Sequence, residues 1–565
     1  MQQPEDGPSP EPAMGQNSRR DKSPEQCEAT VNGRRAGLRA FRWGWTAFMV
    51  VATSVPYLLN WLSTPAGYHY TWIVPPYFED SLAYQSWSQQ AAHGSLLFQI
   101  KYTALPQSPF LFHPFFLVCG WLSALFACDI GVVHWVMKAV GVGFFLAAFF
   151  RYVDYLGLNR FQSIAASILV GISSGMGWFL YFLGCADQLP FVPADLQVVD
   201  MNTYWSLLWN PLFPYSLALM LLTVHGLDRG TREARKSDFW FSGLMTGVLA
   251  LIHPYSQPLL FVFAVVITTV RRRADAPGYL CRYFSAVLPF VLYVGLVAIF
   301  DPVVSQHSAH GEMKSPPLAS YAIGFGFPLL LCVGGLVVER GRWLKQYWQV
   351  ALWFLLPVTF SYLPLWFQKK LIFGAHLPLC ILAGIACDRI RVWYFGPRTP
   401  KWVLAVVAAV LLPLLASTPM NLLVIESREV KSNPDGAYYI NNEVMAGLKF
   451  LKDRTRPNEV VFATLETSRL IPAFAGNTVV WGHWAMAVDF EKRESWFNNL
   501  LDEQANRDDD RRSREFWGTD IQYIFADGVL KQALGQNSLA WRGILGNADQ
   551  VFTNGSVVIY KRRDG

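Results

Sequence analysis

Charge is scarce in this sequence, cysteine is confined to part of it, and no nucleotide-binding glycine pattern stands in its C-terminal part. Asp, Glu, Lys and Arg make up 16% of the 565 residues, against 52% apolar and 15% aromatic types. Up to about residue 420 that is far more apolar sequence than one soluble core absorbs, so the composition excludes a soluble enzyme and implies a polytopic membrane protein. The net charge of +6 is carried by short basic clusters between apolar runs. That arrangement encodes topology, and nucleic acid is not an expected partner. Cys119, Cys128, Cys185, Cys281, Cys332, Cys380 and Cys387 lie in or beside apolar segments, and none follows them. Neither a disulfide framework nor a zinc spacing results. With no Gly-x-Gly-x-x-Gly and no P-loop after residue 419, nucleotide binding has no support there.

What is present is a series of apolar runs. Residues 1–40 are rich in Pro, Glu, Ser and Gln and read as a disordered cytoplasmic tail. The run 43–62 follows Arg34, Arg35, Arg39 and Arg42 without a small-residue cleavage site, as a signal anchor does. Further runs occupy 132–150, 161–183, 206–224, 239–252, 257–270, 284–300, 321–338, 350–367, 371–386 and 403–415, and the run 112–127 is ambiguous. If 112–127 stays in the interface, roughly 24 Lys and Arg fall inside against roughly 4 outside, which the positive-inside bias favours. The expectation is an α-helical polytopic membrane domain over 41–418 with about eleven spans. Its external loop covers 63–131, and a small external α/β domain covers 419–565.

This parity places Glu79 and Asp80 in the first external loop, Asp187, Asp195 and Asp200 in the second, and Asp301 and Glu312 further along the same face. The plain reading is that acids are tolerated outside because the topology rule constrains mainly Lys and Arg. Asp80 stands apart by its setting: Asp80, Tyr84, Gly94 and Tyr102, then His113-Pro114 opening the ambiguous run. In that order the sequence resembles the lipid-dependent glycosyltransferases of the GT-C fold, the superfamily of protein O-mannosyltransferases, aminoarabinose transferases and oligosaccharyltransferases. Many bacterial relatives read Asp-Glu where this chain reads Glu79-Asp80-Ser81. The resemblance therefore implies Asp80 as catalytic base, with Glu79 shaping its field. It also implies Asp195 or Asp200 as a second carboxylate, Tyr102 among the substrate-binding residues, and Gln368 to His376 as the basic segment that opens a late span.

The implied reaction attacks the anomeric carbon of a sugar carried on a polyprenyl phosphate, with inversion, in a bacterial plasma membrane. A phosphate leaving group needs no general acid, so one carboxylate to take the acceptor's proton suffices, with cations to hold the phosphate. Lys369 and Lys370 are the external cations for that role; read plainly, they are interfacial anchors. His113 and His253 are candidates to bind sugar, phosphate or metal, although the neighbouring prolines already explain a helix break at each. A divalent cation accompanies the acidic motif in some relatives and not in others, which leaves the cofactor open. The acceptor, whether glycan, lipid or protein, is not specified. Lys138, inside a span, needs a partner or a polar cavity.

After residue 419 the pattern alternates: a helix over 441–454, strands at 459–463, 478–481 and 521–526, and a hairpin at 551–562 around Asn554-Gly555. The stretch around Trp481-Gly482-His483-Trp484 reads as core aromatics and turns; Glu466, Arg469 and His483 are outside candidates for acceptor recognition. The alternative function is a transporter or flippase that uses the Pro-broken hairpin of 239–270.

Overall fold

A computed structural model describes residues 24–76, 78–306, 313–416, 419–420, 424, 430, 438–501, 516–536 and 538–563. It separates into two units, Met1–Ala47 and Phe48–Gly565. The site lies in the second. The first helix, α1 (Pro24–Leu62), begins inside the stretch expected as a tail, and residues 1–23 of that tail lie outside the described residues.

Six described helices are long and apolar enough to cross a membrane, by length and composition: Ala36–Leu62, Ile130–Tyr155, Pro254–Arg271, Ala276–Phe300, Leu318–Glu339 and Gln368–Phe395. Four shorter apolar helices accompany them at Pro114–Phe126, Arg160–Ile172, Trp348–Phe360 and Lys401–Leu414. Two expected spans are interrupted, each for a local reason. The run 161–183 divides into α2 (Arg160–Ile172) and the short α3 (Gly177–Phe182). Between them the chain crosses the backbone of a later helix, where Met176 N–H donates to the Ile323 carbonyl at 2.9 Å. A Cβ on Gly175 would sit 2.2 Å from the Gly324 carbonyl oxygen, so only glycine allows this approach. The run 206–224 divides into α4 (Thr203–Trp209) and α5 (Phe213–Glu233). Asn210 turns the chain there by accepting the Leu212 N–H at 2.9 Å, beside a proline that has no N–H to donate.

The most buried span ends in α6 (His376–Phe395), led in by a 3-10 turn at Gln368–Ile372; 94% of its apolar window is inside the protein, against 17% for Ala276–Phe300. The first is therefore central and the second peripheral. Lys138, 1% exposed, donates to the carbonyls of Thr53 at 2.5 Å and Leu208 at 3.3 Å and lies over the Tyr57 ring, so its burial is compensated within the bundle.

The loop after the first span and the C-terminal region share one body. Strand β1 (Tyr68–Tyr70) pairs antiparallel with β2 (Tyr439–Asn441), Tyr68 opposite Asn441. Strands β3 (Val460–Phe462), β4 (Thr478–Val479), β5 (Ile521–Ala526), β6 (Ala548–Asn554) and β7 (Val557–Arg562) form a mixed sheet in the order β4-β3-β5-β7-β6. One apolar core takes Tyr70, Ile73, Leu82, Ile100 and Tyr102 from the loop together with Leu448, Val461, Ile471 and Phe525 from the C-terminal region. That core crosses the division expected between loop and C-terminal domain, while a second core, with Phe462, Trp481, Phe516 and Trp541, is built from C-terminal residues alone. Lys101 fastens the two parts, donating to the Pro457 carbonyl at 2.6 Å and to Asn458 at 3.2 Å, and burial pushes its ammonium down to about 8.

Candidate active site

Glu79 and Asp80 occupy the first turn of the helix Phe78–Ala92, where two negative charges suit the positive end of the helix dipole. They face different partners. Arg469, from the helix Leu465–Phe474, meets Glu79 at 2.5 Å and lies over the Phe78 ring. His483 places its Nε2 3.5 Å from an Asp80 oxygen, close enough for an ion pair but short of hydrogen-bond geometry. Both partners come from the C-terminal segment, which reads from sequence mainly as core. From sequence Arg469 and His483 are outside candidates for acceptor recognition; the structure sets them against Glu79 and Asp80.

Asp80 is 37% exposed at its side chain, and Asp200 only 4%. Lys370 joins them: its Nζ lies 3.1 Å from Asp200 Oδ2, and it interacts electrostatically with Asp80 and with the Tyr255 hydroxyl as well. Asp200 Oδ1 is buried and makes no hydrogen bond. Tyr84, one turn beyond Asp80, accepts a bond from Asn210 at 3.3 Å. Burial first, and then the Asp80 charge, push its hydroxyl far above the usual tyrosine value, so it stays a neutral donor at any working pH. Asp80, Asp200, Lys370, Tyr84 and Tyr255 thus come together from segments far apart in the chain.

The remaining candidates divide. His253 belongs to the cluster's edge, sensing both Asp200 and Lys370; its Nδ1 pairs with Ser256 at 2.9 Å and its ring packs on Phe373. Lys369 is half-buried near Lys370 and Asp200, with its backbone N–H held by the Met313 carbonyl. His113 stacks on Phe116 at 4.1 Å beneath Tyr84, and burial lowers its imidazole to about 3. Tyr102 is core: 2% exposed, with its hydroxyl donating to the Arg469 carbonyl at 3.3 Å. Asp195 is fully buried and accepts the Gly177 N–H at 3.0 Å, so it ties down the irregular chain after α2. A Cβ on Gly177 would lie 2.3 Å from its carboxylate. Asp301 accepts the N–H groups of Val303 and Val304, an ordinary turn cap. Glu312 lies outside the described residues. Among the described residues, no group of three or more His, Cys, Asp or Glu is placed to hold a metal ion.

No family model and no curated protein matches the sequence. Solved structures do match. The archaeal oligosaccharyltransferase AglB from Archaeoglobus fulgidus, in complex with an inhibitory peptide and a dolichol-phosphate, aligns at a TM-score of 0.50 and 11% identity, over 93% of this chain and 74% of that one. The chain has the GT-C fold. ArnT from Cupriavidus metallidurans bound to undecaprenyl phosphate aligns at 0.47 and 13% identity, over 92% of this chain and 98% of its own. The arabinofuranosyltransferase AftD from Mycobacteria aligns at 0.48 and 15%, with 92% of this chain spanning 40% of that larger protein. At the level of fold, the resemblance carried by Asp80, Tyr84, Gly94 and His113-Pro114 is borne out.

Proposed function

We propose that the protein is a membrane glycosyltransferase that moves a sugar from a polyprenyl-phosphate donor to an acceptor on the non-cytoplasmic face. In this reading the chain spans the membrane eleven times, with its N-terminus inside and its C-terminal region outside. The observation that carries the proposal is the convergence of a partly exposed carboxylate, Asp80, with the Lys370–Asp200 pair. The GT-C fold supports it, since the AglB structure with this fold contains a dolichol-phosphate.

The chemistry follows from the residues. Lys370 has three donors and uses one on Asp200, which leaves it able to hold a phosphate oxygen as a point charge. Tyr84, kept protonated, adds a neutral donor on the same side. Asp80 takes the proton of the acceptor hydroxyl or amide as the new bond to the anomeric carbon forms on the face opposite the phosphate. The electron pair of the broken bond leaves on the phosphate, whose low basicity spares the site a general acid.

The test is transfer from synthetic polyprenyl-phosphate hexoses and pentoses to cell-envelope acceptors by the purified protein in vesicles. Asp80→Asn is expected to fold normally and to lose at least about 100-fold in rate. A folded Asp80→Asn protein that transfers like the parent would sink the mechanism, and a parent protein that forms no transfer product would favour a transporter.

A further inference from the structure

His483 is buried, 1% exposed, and its surroundings settle which nitrogen carries its proton. The preceding Gly482 packs so closely that a Cβ there would lie 2.8 Å from the Ser468 carbonyl oxygen and 3.0 Å from the Tyr102 ring. That approach sets the ring 5.7 Å from Tyr102, between the loop and the C-terminal region. Its Nδ1 receives the backbone N–H of Ala485 at 3.1 Å. A backbone N–H can only donate, so Nδ1 holds a lone pair and the neutral ring carries its proton on Nε2. Nε2 makes no hydrogen bond of its own and points at the Asp80 carboxylate from 3.5 Å. A buried donor thus faces the partly exposed carboxylate at a separation that a small rotation of the carboxylate closes.

We infer that His483 is a positioning residue for the reaction proposed above: its Nε2–H grips one oxygen of Asp80 and turns the other toward the acceptor. The inference rests on that proposed function. His483 keeps its proton throughout. Asp80 takes the acceptor's proton on its other oxygen, the acceptor bonds to the anomeric carbon, and the carbon–oxygen bond to the phosphate breaks with its electrons leaving on the phosphate. Because Nδ1 is committed to Ala485, the ring does not itself serve as the base. Among the described residues, the groups that act on Asp80 include Tyr84 on its own helix, Lys370 and Tyr255 from the membrane side, and His483 from the C-terminal side, while Arg469 pairs with the neighbouring Glu79. His483 is the one among them that offers a directed neutral N–H from the C-terminal side.

Three variants test this in the full-length protein, with synthetic polyprenyl-phosphate sugars as the donor. His483→Phe keeps a ring in the aromatic packing and removes the donor. It is expected to lower kcat about 10- to 100-fold with the donor KM unchanged. It should also move the acid limb of the rate profile to higher pH, because a carboxylate that loses a donor is easier to protonate. His483→Gln, whose side-chain amide N–H reaches the position of Nε2, should restore most of the rate and the original limb. A His483→Phe protein with the parent kcat and an unshifted limb overturns the inference if Asp80→Asn is inactive; if Asp80→Asn transfers normally, it is the proposed function that fails. Should His483→Phe not fold, 15N NMR of histidine-labelled parent protein in bilayers decides, with His483→Gln used to assign the signal. A proton on Nε2 at neutral pH sustains the inference, and a proton on Nδ1, or on both nitrogens, overturns it.

Discussion

Buried carboxylates stand at both ends of α5, and they are finished differently. At its C-terminal end Asp228 is wholly buried and bonded at both oxygens: Arg232 donates to it at 3.0 Å, Arg271 makes a very short contact, and Gln349 approaches its other oxygen at 3.4 Å. Nearby Asp238 takes both arms of Arg229 at 2.7 Å. Beyond the N-terminal end, Asp200 has one cation and an oxygen with no hydrogen bond, Asp80 is partly exposed, and a buried His483 donor is unused. A carboxylate whose two oxygens both accept hydrogen bonds from neighbouring side chains holds helices together. One left partly unsatisfied beside a cation keeps capacity for a substrate, and unsatisfied buried polar groups call for that kind of explanation.

Substitutions separate the two ends by what they damage. Asp228→Asn leaves Arg232 and Arg271 without their counter-charge. It is expected to cost about 3 to 5 kcal/mol of stability while transfer per folded molecule is unchanged, as read by denaturation and assay of the same preparation. Arg469→Ala removes the partner of Glu79, and about 1 to 2 kcal/mol is expected from that pair, which is mostly shielded from solvent. Hydrogen exchange should show that loss as faster opening of the helix Phe78–Ala92. Asp200→Asn is expected to cost only about 1 kcal/mol, because Lys370 is partly exposed and keeps Asp80 nearby, yet to slow transfer. If Asp200→Asn unfolds the protein as Asp228→Asn does, the contrast between the ends collapses.

Lys101 adds an effect that is read through pH. Its ammonium titrates near 8 in the folded protein against 10.5 ordinarily, so between those values the unfolded chain binds more protons and stability rises with pH. Thermal unfolding of the parent should show that rise, and Lys101→Met should flatten it.

Much of the membrane region is legible in the sequence because hydropathy and basic clusters are local signals. The interruptions after Ile172 and at Asn210 are less so: Ser173, Gly175 and Pro211 hint at them, but the cause of the first is a contact with Gly324, distant in the chain. Asp80 and Lys370 are legible as charges where charge is rare. Asp195 and Asp200 look alike in sequence and separate only in space, one tied to a glycine turn and the other paired with Lys370. The union of loop and C-terminal region is hidden for a physical reason. It rests on a three-residue strand pairing across most of the chain and on a shared core, and neither leaves a periodic pattern. For the same reason Arg469 and His483 read from sequence only as outside candidates for acceptor recognition, and the fold lays them instead beside Glu79 and Asp80.

The most direct test of the central claim is a structure of the protein with a non-transferable polyprenyl-phosphate sugar analogue bound. The account expects the phosphate within ion-pair distance of Lys370 and the anomeric carbon facing the space in front of Asp80. A phosphate bound away from Lys370, with Asp80 turned from the sugar, would contradict it.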